Sequence, residues 1–213
     1  MRCVMRPMRI EDTPQAKEID RECFPTQWPT PSYKTDILFG RPTHYLVACE
    51  ERANNAVEQA KQGGPVLSQL LRKLRHPFCT GEAYGSNQWI IGLVGLWIMA
   101  GEAHITTIGV REAYRRQGIG ELLLISVIEL ALMRHSQVVT LEVRATNSAA
   151  QALYEKYGFT KAGVRRGYYT DNREDALIMT TDTITSDSFQ GRLRRLKQAH
   201  AERWGLSRRQ IDI

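Results

Sequence analysis

The chain has 213 residues, of which 42% are apolar and 24% charged, the composition of an ordinary soluble globular protein with one good core. Its longest apolar run, Trp89 to Ala100, is shorter than the ~20 residues a membrane helix needs, and Met1 to Ile10 has no apolar h-region, so neither a span nor a secretory signal is expected. The four cysteines (Cys3, Cys23, Cys49, Cys79) have no metal-ligand spacing and form no compact framework, which reads as reduced thiols in a cytoplasmic protein. The net charge of +6 is uneven: residues 184–213 carry +4 and residues 51–88 carry +2, so the remainder is neutral.

Val4 to Ile10 reads as a first strand, and Asp12 or Thr13 can cap a helix running to about Cys23. Phe24 to Pro31 is a proline-punctuated loop, followed by a short helix to about Leu38 and a second strand, Tyr45 to Cys49. Residues 51–88 are polar, interrupted by Gly63-Gly64-Pro65, with room for one amphipathic helix (Val66 to Leu74). Typical connections are about 4–6 residues, so this segment is an insertion. Trp89–Ala100 and Ala103–Val110 read as two strands around a Gly101-Glu102 turn, the first bent at Gly92 or Gly95.

The next stretch is the most informative. A basic turn, Arg115-Arg116-Gln117-Gly118-Ile119-Gly120, separates the strand Ala103–Val110 from a strongly apolar helix, Ile119 to about Met133. Unpaired N–H groups at a helix start, together with the helix dipole, attract anions, and glycine lets a phosphate approach the backbone closely. No Lys-Ser/Thr follows, so this is not a nucleoside-triphosphate loop. The third glycine of a dinucleotide fingerprint is replaced by Leu123.

Downstream, Val138 to Val143 is β-branched and reads as a strand. Asn147 is a good N-cap for a helix from Ser148 to Tyr157, and Gly158 suits its C′ position. Two further strands fall around 160–169 and 175–181, and Ser186 to Trp204 reads as a basic, solvated amphipathic helix packing on the domain.

The Arg/Gln-x-x-Gly-x-Gly turn, the run LEVRATNSAAQALYEKYGF (141–159) and the run GYYTDNREDALIM (167–179) together resemble the GNAT N-acetyltransferase superfamily, close to its RimI type, which acetylates an N-terminal alanine of a ribosomal protein. The resemblance is strong from about Ala103 to Thr180. It implies an α/β GNAT fold: a mixed, mostly antiparallel sheet with helices on both faces and a parallel pair, 103–110 with 138–143, splayed where the cofactor enters. Residues 1–182 would form the acetyltransferase domain and 183–213 a basic helical extension.

The resemblance also implies roles. Acetyl-CoA would be held by the backbone of Ile108, Gly109 and Val110, with Gly109 compatible with a bulge, and by the amides from Arg116 to Glu121 (Gln117, Gly118, Ile119 and Gly120 between them). Arg115 and Arg116 would add charge there, or are a solvated surface pair. Asn147 would bind the cofactor arm besides capping its helix.

Glu142 would be the general base. Strand alternation puts it opposite Leu141 and Val143, where a carboxylate is either paired with Arg144 or poised near substrate. Tyr154 would be the general acid. Its helical spacing with Ala150, Leu153 and Tyr157 also fits a plain core tyrosine, the reading kept for Tyr157. Phe24, Trp28, Tyr168 and Tyr169 would line the acceptor, with the two tyrosines on opposite faces of a strand.

Thr26 and Gln27, between Phe-Pro and Trp, depart from the RimI pattern. The five histidines are scattered and no metal is expected. The expected activity is transfer of acetyl from acetyl-CoA to a protein N-terminus, a ribosomal protein's in particular. The alternatives are a lysine or small-amine acceptor, or a non-catalytic acyl-CoA-binding module that docks on a ribosome or RNA through the basic tail.

Overall fold

A computed structural model describes residues 3–24, 32–39, 42–50 and 88–209. In chain order the elements are β1 (Cys3–Pro7), α1 (Thr13–Cys23), α2 (Tyr33–Leu38), β2 (Thr43–Glu50), β3 (Trp89–Met99), β4 (Glu102–Val110), α3 (Ile119–Met133), β5 (Val138–Arg144), α4 (Ser148–Lys156), β6 (Phe159–Tyr169), β7 (Glu174–Thr181), α5 (Asp187–Trp204) and β8 (Arg208–Arg209). The expected helix at Val66–Leu74, Trp28 and Cys79 lie outside the described residues.

The strands form one sheet in the order β6-β7-β5-β4-β3-β2-β1-β8. All neighbours are antiparallel except β4 with β5 and the short β8 with β1. Side chains alternate across the sheet. In β2, Leu46 and Ala48 enter the core under α3, while Tyr45, Val47 and Cys49 meet α1 and α2 on the other face.

α3 is apolar almost all round; Leu122, Leu123, Leu124, Ile125, Val127 and Ile128 are all buried. Such a helix needs cover on more than one side. The sheet supplies one cover, and α5 supplies another through Phe189, Leu193 and Leu196. The basic tail is therefore packed on the domain, and β8 adds to the edge of its sheet.

Two local expectations change. The β3–β4 turn is Ala100-Gly101, with φ 52° and 81°, so both central residues are left-handed as a two-residue hairpin turn requires, and Glu102 already belongs to β4. The β4 irregularity is at Thr106: Gly95 pairs with Thr107 and Leu96 with Ile105. Gly109 pairs regularly with Leu93. A Cβ at Gly109 would sit 3.1 Å from Cys23 Sγ, so glycine there admits the end of α1 rather than a bulge. β3 does shift register beside Gly92 and Gly95, the two positions expected to bend it.

Candidate active site

β4 and β5 pair from Glu102/Val138 to Ile105/Leu141 and no further. Beyond that point the strands part, leaving residues 106–110 of one and 142–144 of the other facing an opening. This is the splay that the family resemblance implied, and it lies at the strand C-termini, where open α/β sheets place ligands. Ile108, Gly109 and Val110 form its β4 wall. The Val110 carbonyl accepts from Arg115 Nε (3.2 Å) and Cys23 Sγ (3.3 Å).

A single 3-10 turn (Glu112–Tyr114) leads from β4 to α3. Arg116 (φ 62°) and Gly118 (φ 78°) are left-handed, and Gly118 is the N-cap. Its carbonyl accepts the first helical bond, from Leu122 N at 2.9 Å. The amides of Ile119, Gly120 and Glu121 belong to the first turn, which has no carbonyl of its own to offer them. Arg115 and Arg116 are exposed, and Gln117 Nε2 donates to Ala113 O (3.1 Å). The Glu121 side chain points away to α4, accepting from Tyr157 Oη (2.7 Å) and Lys156 Nζ (2.6 Å). Burial acts to raise its pKa, yet these hydrogen bonds outweigh burial and hold it below the ordinary value. Tyr157 is thus a satisfied core tyrosine.

Asn147 caps α4, its Oδ1 accepting from Ala150 N at 3.2 Å. Two helical turns on, Tyr154 is 5% exposed and packs on Phe159, ring centroids 5.7 Å apart. No hydrogen bond to its hydroxyl is found among the described residues. Burial, then the nearby Tyr169, push its phenol well above the ordinary value, so it stays protonated.

Glu142 projects into the opening with its side chain 8% exposed. It does not pair with Arg144. His104 Nε2 lies 2.9 Å from its Oε2 and Arg165 Nη2 lies 3.0 Å from its Oε1. Burial would raise its pKa, but the His104 hydrogen bond and charge, followed by the Arg165 charge, win and lower it. Arg144 is occupied elsewhere, with Asp171 and Glu174 at 3.0 Å each and with the Tyr169 ring, 3.9 Å from its guanidinium carbon. Glu174 also accepts from Thr146 N and Oγ1, so this network ties the β6–β7 hairpin to the turn before α4.

Tyr168 and Tyr169 do not sit on opposite faces. β6 shifts register between Arg165 and Tyr169, around Gly167 (φ 57°), and the two rings meet edge to face, 5.2 Å apart. Burial and then Glu142 raise the Tyr168 phenol; burial first pushes Tyr169 up to about 12. Both tyrosines therefore border the space that holds Glu142. Phe24, at the end of α1, is 39% exposed. His104 was not singled out from the sequence, although Ala103 and Ile105 beside it are apolar and alternation puts it on the Glu142 face. Among the described residues, no group of three or more His, Cys, Asp or Glu is placed to hold a metal.

The acetyltransferase (GNAT) family matches residues 13–159, and the chain belongs to that family. It is 33% identical over 178 residues to a Bacillus subtilis (strain 168) protein named "Putative ribosomal protein bS18-alanine N-acetyltransferase", covering 84% of this chain and 94% of the relative. It is 48% identical over 84 residues to the ribosomal protein bS18-alanine N-acetyltransferase of Escherichia coli (strain K12), a match covering 38% of this chain and 57% of that protein. The crystal structure of the ribosomal-protein-S18-alanine N-acetyltransferase from Escherichia coli is similar in fold, with a TM-score of 0.60 at 25% identity, covering 87% of this chain and 97% of that one. The mixed sheet with its splayed pair is the GNAT fold, and the protein is an acetyltransferase.

Proposed function

We propose that the chain transfers acetyl from acetyl-CoA to the α-amino group of a protein N-terminus, by direct attack of the amine within a ternary complex. The residues fit the cofactor: the turn at 116–121 offers helix-start amides beside two exposed arginines, and the opening between β4 and β5 offers unpaired strand edges for an extended arm. When bound, acetyl-CoA supplies the thioester carbonyl that the amine attacks and the thiolate that leaves.

One observation carries the acceptor side. Glu142 holds a cation at the opening, the guanidinium of Arg165, whose own side chain is 54% exposed. A substrate ammonium arriving there would take the place of that exposed side chain. Glu142 would accept its proton, and His104, 26% exposed and bonded to the same carboxylate, would pass charge toward solvent. An α-amino group, with a pKa of about 7.7–8.0, needs only weak help, which suits a carboxylate held below its ordinary pKa, whereas a lysine at about 10.4 needs more. Tyr154 keeps its proton and would deliver it to the thiolate. Asn147 would steady the cofactor arm, and Tyr168, Tyr169, Phe24 and Trp28 would wall the peptide.

The relatives' names support a ribosomal protein N-terminus as acceptor, and with it a cytoplasmic setting. Among the described residues no helix is long and apolar enough to cross a membrane. On α5, Arg194, Arg195 and Arg203 are exposed and would be the side chains available for ribosome or RNA docking.

The test is acetylation followed by mass spectrometry on two peptide sets, one with free N-termini beginning with Ala, the other with blocked N-termini and internal lysines. Acetylation of the free N-termini alone is expected. Modification of only the lysine-bearing set would overturn the acceptor assignment.

A further inference from the structure

α5 ends against the turn assigned to the cofactor's pyrophosphate. His200, 7% exposed, places Nε2 2.9 Å from the Gly118 carbonyl oxygen. A carbonyl only accepts, so this nitrogen carries the proton. Trp204, the last residue of α5, lies over Gly118 from the same side. A Cβ at Gly118 would meet its Cδ1 and Nε1 at 2.6 Å. Farther back, Lys197 pairs with Glu129 of α3, and Arg192 crosses Gly158, where a Cβ would come within 2.5 Å of Nη1. β8 anchors the chain beyond α5 alongside β1. The helix is thus held at several points, and its final turn bears on one peptide group.

That peptide group matters. The unit joining Gly118 to Ile119 is planar, so fixing its oxygen also fixes the direction of the Ile119 N–H. The oxygen is held twice, by Leu122 N and by His200. Gly118 is left-handed and, being glycine, would otherwise reorient at little cost. An anion site built from backbone amides gains affinity when the amides are already aimed.

We infer that α5 is a brace for the pyrophosphate turn, with His200 and Trp204 as positioning residues that set the affinity for acetyl-CoA without touching the acceptor site. The inference rests on assigning residues 116–121 to the pyrophosphate. A cavity already adjoins the contact, lined by Cys3, Gln117, Leu122, His200, Trp204 and Ser207. Truncating Trp204 therefore widens an existing space rather than opening the core.

The experiment uses the full chain and its His200→Ala, His200→Gln and Trp204→Ala variants. CoA binding is measured by calorimetry, and acetyl-CoA KM, peptide KM, kcat and Tm are measured alongside. Loss of one hydrogen bond corresponds to about fivefold in affinity. His200→Ala should raise CoA Kd and acetyl-CoA KM by about fivefold or more, and Trp204→Ala, which removes packing rather than a hydrogen bond, should raise both as well. Peptide KM and kcat should stay near wild type, and His200→Gln, which keeps a donor at that reach, should restore binding. Unchanged CoA Kd in both alanine variants would overturn the brace. So would a fall in kcat and a rise in both KM values that track Tm and are not rescued by glutamine. A wild-type chain that does not bind CoA would overturn the pyrophosphate assignment itself, and the brace with it.

Discussion

His104 and Glu142 meet across the point where β4 and β5 part, Nε2 to Oε2 at 2.9 Å. The parallel register sets this contact. His104 pairs with Thr140, and Glu142 lies two residues farther along β5 on the same face. His104 is the first counterweight to burial in lowering the Glu142 carboxyl. His104→Ala should therefore let burial raise that carboxyl, moving the acid limb of kcat/KM to higher pH. Turnover near neutral pH should fall about tenfold, less than for loss of Glu142, the proposed base. A pH–rate profile with an unmoved acid limb would contradict the pairing's role.

Tyr154 separates catalysis from stability. The residue is 5% exposed and no hydrogen bond to its hydroxyl is found among the described residues, so Tyr154→Phe breaks no hydrogen bond seen in the structure and leaves the ring packing intact. Tm should stay level or rise, while kcat falls by about 10² if the hydroxyl protonates the thiolate. Thermal scans and steady-state rates on one preparation check both halves. A normal kcat would return Tyr154 to the core.

Two left-handed glycines give a matched comparison. Gly101 (φ +81°) has nothing within 4 Å of an added Cβ, whereas Gly118 (φ +78°) would drive one into Trp204. Gly101→Ala should cost only the conformational strain, about 1–2 kcal/mol. Gly118→Ala should cost roughly 3 kcal/mol or more, because the clash adds to the strain, and should also weaken CoA binding. Urea unfolding of the two variants measures the difference, and equal losses would show that Trp204 yields freely.

Three glutamates should make the fold acid-sensitive. Glu142, Glu121 and Glu174 all titrate below the ordinary glutamate value of 4.5, and Glu174 is pulled down to about 2, chiefly by the Thr146 hydroxyl and amide. Groups lowered on folding stabilise the native state above their unfolded pKa, and that stability is lost as pH falls through the folded pKa. Tm should be nearly flat on the neutral side and decline below about pH 4.5. Glu174→Gln should flatten part of that decline, and a parallel pair of curves would contradict the assignment.

What was legible in the chain was what local rules decide. The glycine turn before an apolar helix, the Asn147 cap and the Gly158 terminator stand where the residues suggested, and the splayed strand pair stands where the family resemblance implied it. What was not legible depends on register and on distant partners. Arg144 is closer in sequence to Glu142 than Arg165 is, yet Arg165 reaches Glu142 because β6 and β7 carry it there. Tyr168 and Tyr169 share a space because the strand shifts register at Gly167, which simple alternation does not foresee. The packing of α5 on the domain was expected of an amphipathic helix, and its seat is α3, a helix too apolar all round to leave one side to water.

The central claim is that Glu142 receives the proton of the acceptor amine. Its most direct test is single-turnover acetyl transfer from acetyl-CoA to a free N-terminal alanine peptide, comparing wild type with Glu142→Gln at matched, saturating cofactor. The predicted result is a transfer rate lower by about 10² in the variant, with CoA Kd unchanged. Rates within a few-fold of each other would contradict it, and would leave Glu142 as no more than the ion-pair partner of His104 and Arg165.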